Sequence, residues 1–186
     1  MILEALRAME FNYAVKIPKE RIAVLVGKGG AVKKKLEKSL HIKVNVDSDE
    51  GDVFLRGDDG IALMTAQNIV RAVGRGFNPD FAFALLEEGN YFEMLDIDDF
   101  SRKNKKSRIR MKARVIGSDG KARKTIEEIT NTHVVVYGKT IAIIGTYENI
   151  GLARKAFESL LRGSRHSTVY AWLEKERKKR KSLGFY

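Results

Sequence analysis

The chain has 186 residues and no cysteine, with only two prolines and one tryptophan. Without cysteine it can form neither disulfides nor cysteine-based zinc sites. No apolar run approaches the ~20 residues that span a bilayer, and the first residues lack a signal-peptide pattern. The expectation is therefore a soluble, cytoplasmic protein with no membrane partner. His41, His133 and His166 lack metal-ligand spacing. No Ser-His-Asp set or carboxylate pair stands out from the surface charge. An enzyme is not expected, nor is a metal or a cofactor.

Positive charge is abundant. Lys and Arg number 35 against 24 Asp and Glu, a net charge of +11. That excess suits an anionic partner, either nucleic acid or an acidic membrane surface. The apolar fraction of 44% is ordinary for a globular protein, so the charge is not that of a disordered tail.

One stretch organises the rest. From Ile109 to Ile129, apolar Val115 and Ile116 lead into Gly117, Ser118, Asp119 and Gly120, and a basic helical pattern follows with Ile126 and Ile129 on one face. Two glycines three apart allow a sharp turn and leave no side chain to block a ligand. A helix starting there points unpaired N–H groups into the gap and attracts an anion. Arg108, Arg110, Lys112, Arg114, Lys121, Arg123 and Lys124 surround it, which points to a phosphate chain.

The stretch occurs twice. Gly27, Lys28, Gly29 and Gly30 precede a basic pattern containing Lys34 and Leu36. A shift of ninety carries Gly27 onto Gly117, Gly30 onto Gly120 and Leu36 onto Ile126. Such self-similarity reads as one domain in tandem. In the first copy the order is strand (Phe11 to Ile17), helix (Arg21 to Val26), glycine loop, helix (Ala31 to Leu40), strands at 42–46 and 53–56, and a closing helix. The closing helix shows helical spacing through Ile61, Met64, Ala66, Ile69, Ala72 and Val73. Met1 to Met9 reads as a short helical turn before the fold begins.

Between the copies, residues 76–100 hold no Lys or Arg and carry Glu87, Glu88, Glu93, Asp96, Asp98 and Asp99. This segment reads as a packed acidic connector, either a solvated face or a docking site for a basic partner. From Ser101 the sign flips, and a basic loop leads towards the next strand, whose register decides which of Arg108, Arg110 and Arg114 face the loop. A hairpin turns at Gly138-Lys139, and a helix over 147–161 closes the second copy. A last helix over 168–181 ends in Arg177, Lys178, Lys179, Arg180 and Lys181, which suits either solvated charge or RNA contact. The expected boundaries are 1–76 for the first domain, 77–100 for the connector, 101–163 for the second domain and 164–186 for the basic tail.

This order of elements resembles the eukaryotic-type (type I) KH domain, present twice. The resemblance implies an α+β fold in which each three-stranded sheet is covered on one face by three helices. It also implies a groove that holds about four nucleotides of single strand, with the GxxG loop on the backbone. Arg114–Thr132 (RVIGSDGKARKTIEEITNT), the later IAIIGTYENIGLAR and LLRGSRHSTVY, and the connector GFNPDFAFALL together resemble the partner-of-Nob family of tandem KH proteins. That resemblance covers nearly the whole chain. It implies binding near the 3′ end of small-subunit rRNA and help with its endonucleolytic maturation, beside a Nob-type endonuclease and other small-subunit assembly factors.

By position, the resemblance makes Gly117, Ser118, Asp119 and Gly120 the principal clamp, with Lys121, Arg123 and Lys124 on neighbouring phosphates. Ser118 stands where many KH loops carry a cation. Lys33 stands where KH helices bury an aliphatic, so the first helix is expected to rotate and fill the space with Val32 or Leu36.

A nucleotide-binding enzyme fits poorly, because Lys28 is followed by Gly29 and not by the end of a P-loop. Two binding readings remain beside the family's. One is a docking adaptor whose first domain and connector hold a protein while only the second domain holds RNA. The other is a general KH regulator of mRNA.

Overall fold

The computed structural model describes residues 11–101 and 104–182. They form two units that divide between Glu88 and Gly89. Each unit holds one three-stranded antiparallel sheet.

The first unit runs β1 (Phe11–Lys16), α1 (Lys19–Val26), a single 3-10 turn at Lys28–Gly30, α2 (Ala31–Leu40), β2 (Lys43–Asp47), β3 (Asp52–Gly57) and α3 (Gly60–Gly74). A short helix, α4 (Pro79–Ala82), and a 3-10 turn at Phe83–Leu86 complete it. The central strand is β3, flanked by β1 and β2. Alternation puts Val15, Val44, Val53 and Leu55 on the helix-covered face, where all four are buried. Ile22 and Leu25 of α1, Leu36 of α2, and Leu63, Ala66, Ile69, Val70 and Val73 of α3 close the core. Pro18 precedes α1, where a missing N–H costs nothing. Asp59 caps α3, its Oδ1 accepting from the N–H groups of Ile61 and Ala62.

The second unit repeats the plan with β4 (Asn90–Asp96), a short α5 (Asp98–Ser101), α6 (Lys105–Ile116), a 3-10 turn at Ser118–Gly120, α7 (Lys121–Thr130), β5 (His133–Tyr137), β6 (Thr140–Thr146) and α8 (Tyr147–Leu161). Its sheet order, β4-β6-β5, matches the first. Leu95, Ile97, Val115, Ile126, Val134, Ile141, Ile143 and Phe157 form the core. A last helix, α9 (His166–Ser182), packs on α7 and α8. It buries Val169 and Leu173 and lays Tyr170 and Trp172 against the same core.

The expected architecture is present, with four corrections. The segment read as a connector is split: Pro79–Leu86 belongs to the first unit, and Asn90–Asp96 is the first strand of the second sheet. The second domain therefore begins well before Ser101. Residues 105–116, read as the approach to a strand, are helical, with Asn104 capping the helix through bonds from the N–H groups of Lys106 and Ser107. Ile61 and Met64 point outward, 76% and 56% exposed, because α3 turns Leu63 and Val70 inward in their place. Finally, α2 is not rotated, since Leu36 is as fully buried as its counterpart Ile126 and Lys33 stays on the flank. The N-terminal turn read at Met1 to Met9, and Arg102 and Lys103 of the basic stretch, lie outside the described residues.

Candidate nucleic-acid interface

Each glycine loop is built from two kinds of glycine. Gly27 and Gly117 close the preceding helices, their N–H groups donating to Ala23 O and Ala113 O. Both sit at φ 74°. A Cβ on Gly27 would lie 2.6 Å from Val32 Cγ2 and 2.9 Å from Val32 N. On Gly117 it would lie 2.7 Å from both the nitrogen and the Cβ of Ala122. These glycines are demanded by the close approach of loop to helix. Gly30 and Gly120 differ. They also have positive φ, 78° and 75°, but a Cβ there would meet only the aliphatic end of a lysine, Lys34 or Lys124, at 3.7 and 4.0 Å. Their outer side is open to a ligand.

Between them the chain makes one 3-10 turn. Gly29 adopts φ 60°, ψ 22°, and Asp119 φ 53°, ψ 27°. Helices α2 and α7 start immediately afterwards, and no side chain caps either start. The first N–H of each helix is held by the turn itself, Ala31 N donating to Lys28 O and Lys121 N to Ser118 O, and both starts carry the positive end of the helix dipole.

The cations fall into two groups. Lys28, Lys34, Lys121 and Lys124 are exposed and form no ion pair among the described residues. Lys34 lies along its own loop, its ammonium 3.5 Å from Gly29 O. Arg110 is exposed on α6. These are the cations available to a phosphate chain.

Three of the expected contacts are occupied inside the fold. Arg114 reaches the end of α8, its Nε donating to Leu160 O at 2.8 Å and its Nη2 to Gly163 O at 2.9 Å and to Ser164 O. Arg108 bonds Asp98 through two nitrogens, at 2.6 and 3.0 Å. Arg123 donates to Val134 O at 2.9 Å and lies 3.6 Å from Glu127. All three lie on helices, so the question of strand register does not arise.

Sequence reasoning missed two devices that fix the loops. Arg21 does in the first unit what Arg114 does in the second, donating to Val73 O at 2.8 Å and Phe77 O at 2.7 Å beyond the end of α3. It stands one helical turn earlier, at 21 and not at 24, so a strict shift of ninety does not pair the two arginines. Glu37 and Glu127, ninety apart, each accept from the edge of the sheet: Val44 N at 2.9 Å and Val134 N at 2.7 Å. This brace locks the helix after each loop onto its neighbouring strand.

Three acidic side chains of the segment are held in ion pairs. Glu93 pairs with Arg154, Asp96 with Lys139 at 2.9 Å, and Asp98 with Arg108. The Arg108 hydrogen bond holds the Asp98 carboxyl below its ordinary range, against the opposing effect of desolvation. Lys139 is raised, chiefly by its hydrogen bond to Asp96. Among the described residues there is no cluster able to hold a metal ion, and no helix is long and apolar enough to cross a membrane.

The comparisons agree with this geometry. The model of the eukaryotic-type (type I) KH domain that is the second of the PNO1 proteins matches residues 91–178, and the general KH domain model matches 12–72. A KH domain-containing protein of Methanocaldococcus jannaschii is 45% identical over 175 residues, covering 92% of this chain and 76% of its own length. The pre-rRNA-processing protein PNO1 of Coccidioides immitis is 32% identical over 164 residues, and the match spans 64% of it. Among solved structures, a chain of the a/eIF2alpha–aDim2p–rRNA complex of Pyrococcus horikoshii aligns with TM-score 0.87 at 42% identity, over 95% of this chain and 99% of that one. With both KH modules matched and relatives aligned along most of its length, the chain belongs to the partner-of-Nob family, the PNO1/Dim2p proteins, with two type I KH domains in tandem.

Proposed function

We propose that this protein binds small-subunit rRNA near its 3′ end and assists endonucleolytic maturation there, as a cytoplasmic, non-enzymatic partner of a Nob-type endonuclease and other assembly factors. The carrying observation is that each domain presents an open glycine loop at an uncapped helix start, with unpaired lysines beside it. That arrangement suits a run of phosphates better than a single small anion, because each loop has more than one exposed lysine beside the positive end of a helix. The names of the relatives supply the biological setting: one is a pre-rRNA-processing protein, and another was solved in a complex containing rRNA.

In this reading Gly117, Ser118, Asp119 and Gly120 form the principal clamp, with Lys121, Lys124 and Arg110 on phosphates. Gly27, Lys28, Gly29, Gly30 and Lys34 hold a second stretch of strand. Arg108, Arg114 and Arg123 act indirectly, by holding α6 and α7 in place. The adaptor reading loses part of its footing, since Glu93, Asp96 and Asp98 are already paired. Crosslinking the protein to total cellular RNA and reading the bound positions tests the proposal. Crosslinks concentrated near the 3′ end of small-subunit rRNA are expected. Crosslinks spread over mRNA would favour the general regulator.

A further inference from the structure

The second unit carries an aromatic cluster that its fold does not require. Tyr147, the first residue of α8, is 74% exposed, and Tyr91 on the edge strand β4 is 54% exposed. Their rings meet edge to face, with centroids 6.1 Å apart and planes at 73°. The first unit, built on the same plan, has Gly60 at the start of its closing helix, where the second has Tyr147. Two large exposed rings gain little by burial, and the first unit shows that the sheet closes without such a pair.

Cations gather at the same place. The rings border a groove of ≈ 640 Å³ whose lining includes Arg154, Lys155 and Arg180. Arg180 arrives from α9, an element without a counterpart among the described residues of the first unit. It is fixed there by donating to Asn149 Oδ1 at 3.1 Å and Glu148 O at 3.2 Å. That anchorage brings the basic end of α9, with exposed Lys178, Lys179 and Lys181, to the rim. Of the two carboxylates in the lining, Glu93 is paired with Arg154, which leaves Glu148 against Lys155, Arg180 and the helix end.

We infer that Tyr91, Tyr147, Lys155 and the end of α9 form a second contact for single-stranded RNA, outside the glycine-loop groove. Bases stack on the tyrosine faces and phosphates run along the lysines. Exposed aromatic rings beside mobile cations are what sequence-tolerant strand binding uses. A protein partner would have to desolvate this excess of lysines, so charge favours the nucleic acid. A glycine-loop groove holds about four nucleotides, so this surface engages only a longer strand.

The inference rests on the RNA-binding reading, and the test separates the two. Affinities of the full-length protein for fluorescein-labelled pyrimidine RNA would be measured with a 4-mer and a 16-mer. Tyr147→Ala is expected to weaken the 16-mer about tenfold, the Tyr91→Ala/Tyr147→Ala pair further, and the 4-mer hardly at all. Tyr147→Phe should retain native affinity, because the ring face does the binding. Crosslinking with 4-thiouridine RNA should mark the peptide that contains Tyr147. An unchanged 16-mer affinity in the folded double variant, while Gly120→Asp abolishes binding, overturns this site and leaves the proposed function standing. If the native protein binds neither RNA, both fall.

Discussion

At Gly29 and Asp119 the two loops make the same left-handed turn, yet one position has no side chain and the other carries a carboxylate. Backbone angles at the flanking glycines also agree: Gly27 and Gly117 share φ 74°, and Gly30 and Gly120 lie at 78° and 75°. The fold thus preserves the shape of the clamp, while its charge varies from one domain to the other. Aspartate is among the few residues that occupy this conformation readily, so the geometry survives the substitution. The price is electrostatic and small. A carboxylate ~6 Å from a phosphate costs about 0.7 kcal/mol in water, and Lys121 and Lys124 act in the opposite sense. In the proposed clamp, shape is set by glycines inside the loop, and strength would come from the cations around it.

The largest effect that would break this comparison lies at the inner glycine. Gly117→Ala should destabilise the second domain by about 2–4 kcal/mol, combining left-handed strain with overpacking against the Ala122 backbone. Trp172 is the only tryptophan and packs against the second core, so its fluorescence during urea unfolding reports that domain. Gly27→Ala should cost its own domain a similar amount, because its Cβ would meet the Val32 backbone nitrogen at 2.9 Å as well as Val32 Cγ2 at 2.6 Å. Equal stability of Gly117→Ala and the native protein would refute the close-approach explanation.

Next in size is the arginine clasp. Arg114→Ala should cost about 2 kcal/mol in the same assay, since it leaves the carbonyls at the end of α8 without a charged donor. Lysine should not restore the loss, because one ammonium cannot reproduce the guanidinium fork. Loss of RNA affinity with no loss of stability would make Arg114 a phosphate ligand after all.

The Asp98 cluster distinguishes the domains by pH. Its carboxyl titrates below its ordinary value of 3.8 in the folded protein, so it stabilises fully above that value and stops doing so as pH falls through the folded pKa. Lys139, raised above 10.5, acts in the opposite sense: its contribution is complete below that value and fades as pH rises through the folded pKa. Acid titration followed by Trp172 should therefore flatten in Asp98→Asn. An acid limb identical to the native one would remove Asp98 from the account.

Smallest is the change in salt dependence. Lys34→Ala and Lys124→Ala should each reduce the slope of log affinity against log salt by about 0.7, the value for one neutralised single-strand phosphate. An unchanged slope for Lys34→Ala alone would mean that only the second groove is used.

Much of this was legible because the chain repeats itself. The glycine loops, the helices after them and both hairpins follow from one pattern seen twice. Where the repeat slips, the sequence misleads. Phe11 pairs with Gly57 as Tyr91 pairs with Gly145, so the first strands differ by eighty positions while the loops differ by ninety. The second domain holds ten extra residues between the strand and the glycine loop, six of them before the helix, α5 included, and four in a longer helix. A constant shift of ninety places the strand after Ser101, where the basic helix α6 begins to form. Strand β4 hid for another reason. Phe92 and Met94 on one face and Tyr91 and Leu95 on the other leave no clean alternation, and acidic residues among them suggest solvent. Those acids are held by Arg154, Lys139 and Arg108 from elsewhere in the chain, which no local pattern announces. For the same reason three arginines that look like phosphate ligands in sequence are spent inside the fold.

The central claim is that the open side of the glycine loop receives the RNA backbone, principally in the second domain. It is tested most directly by comparing Gly120→Asp with Gly30→Asp for affinity to a single-stranded small-subunit rRNA 3′-end fragment, with unfolding measured on the same samples. Space is open at both positions and aspartate tolerates positive φ, so both variants should fold, at a cost of about 1 kcal/mol. Gly120→Asp should lose at least tenfold in affinity and Gly30→Asp less. A folded Gly120→Asp protein that binds the fragment as tightly as the native chain would contradict it.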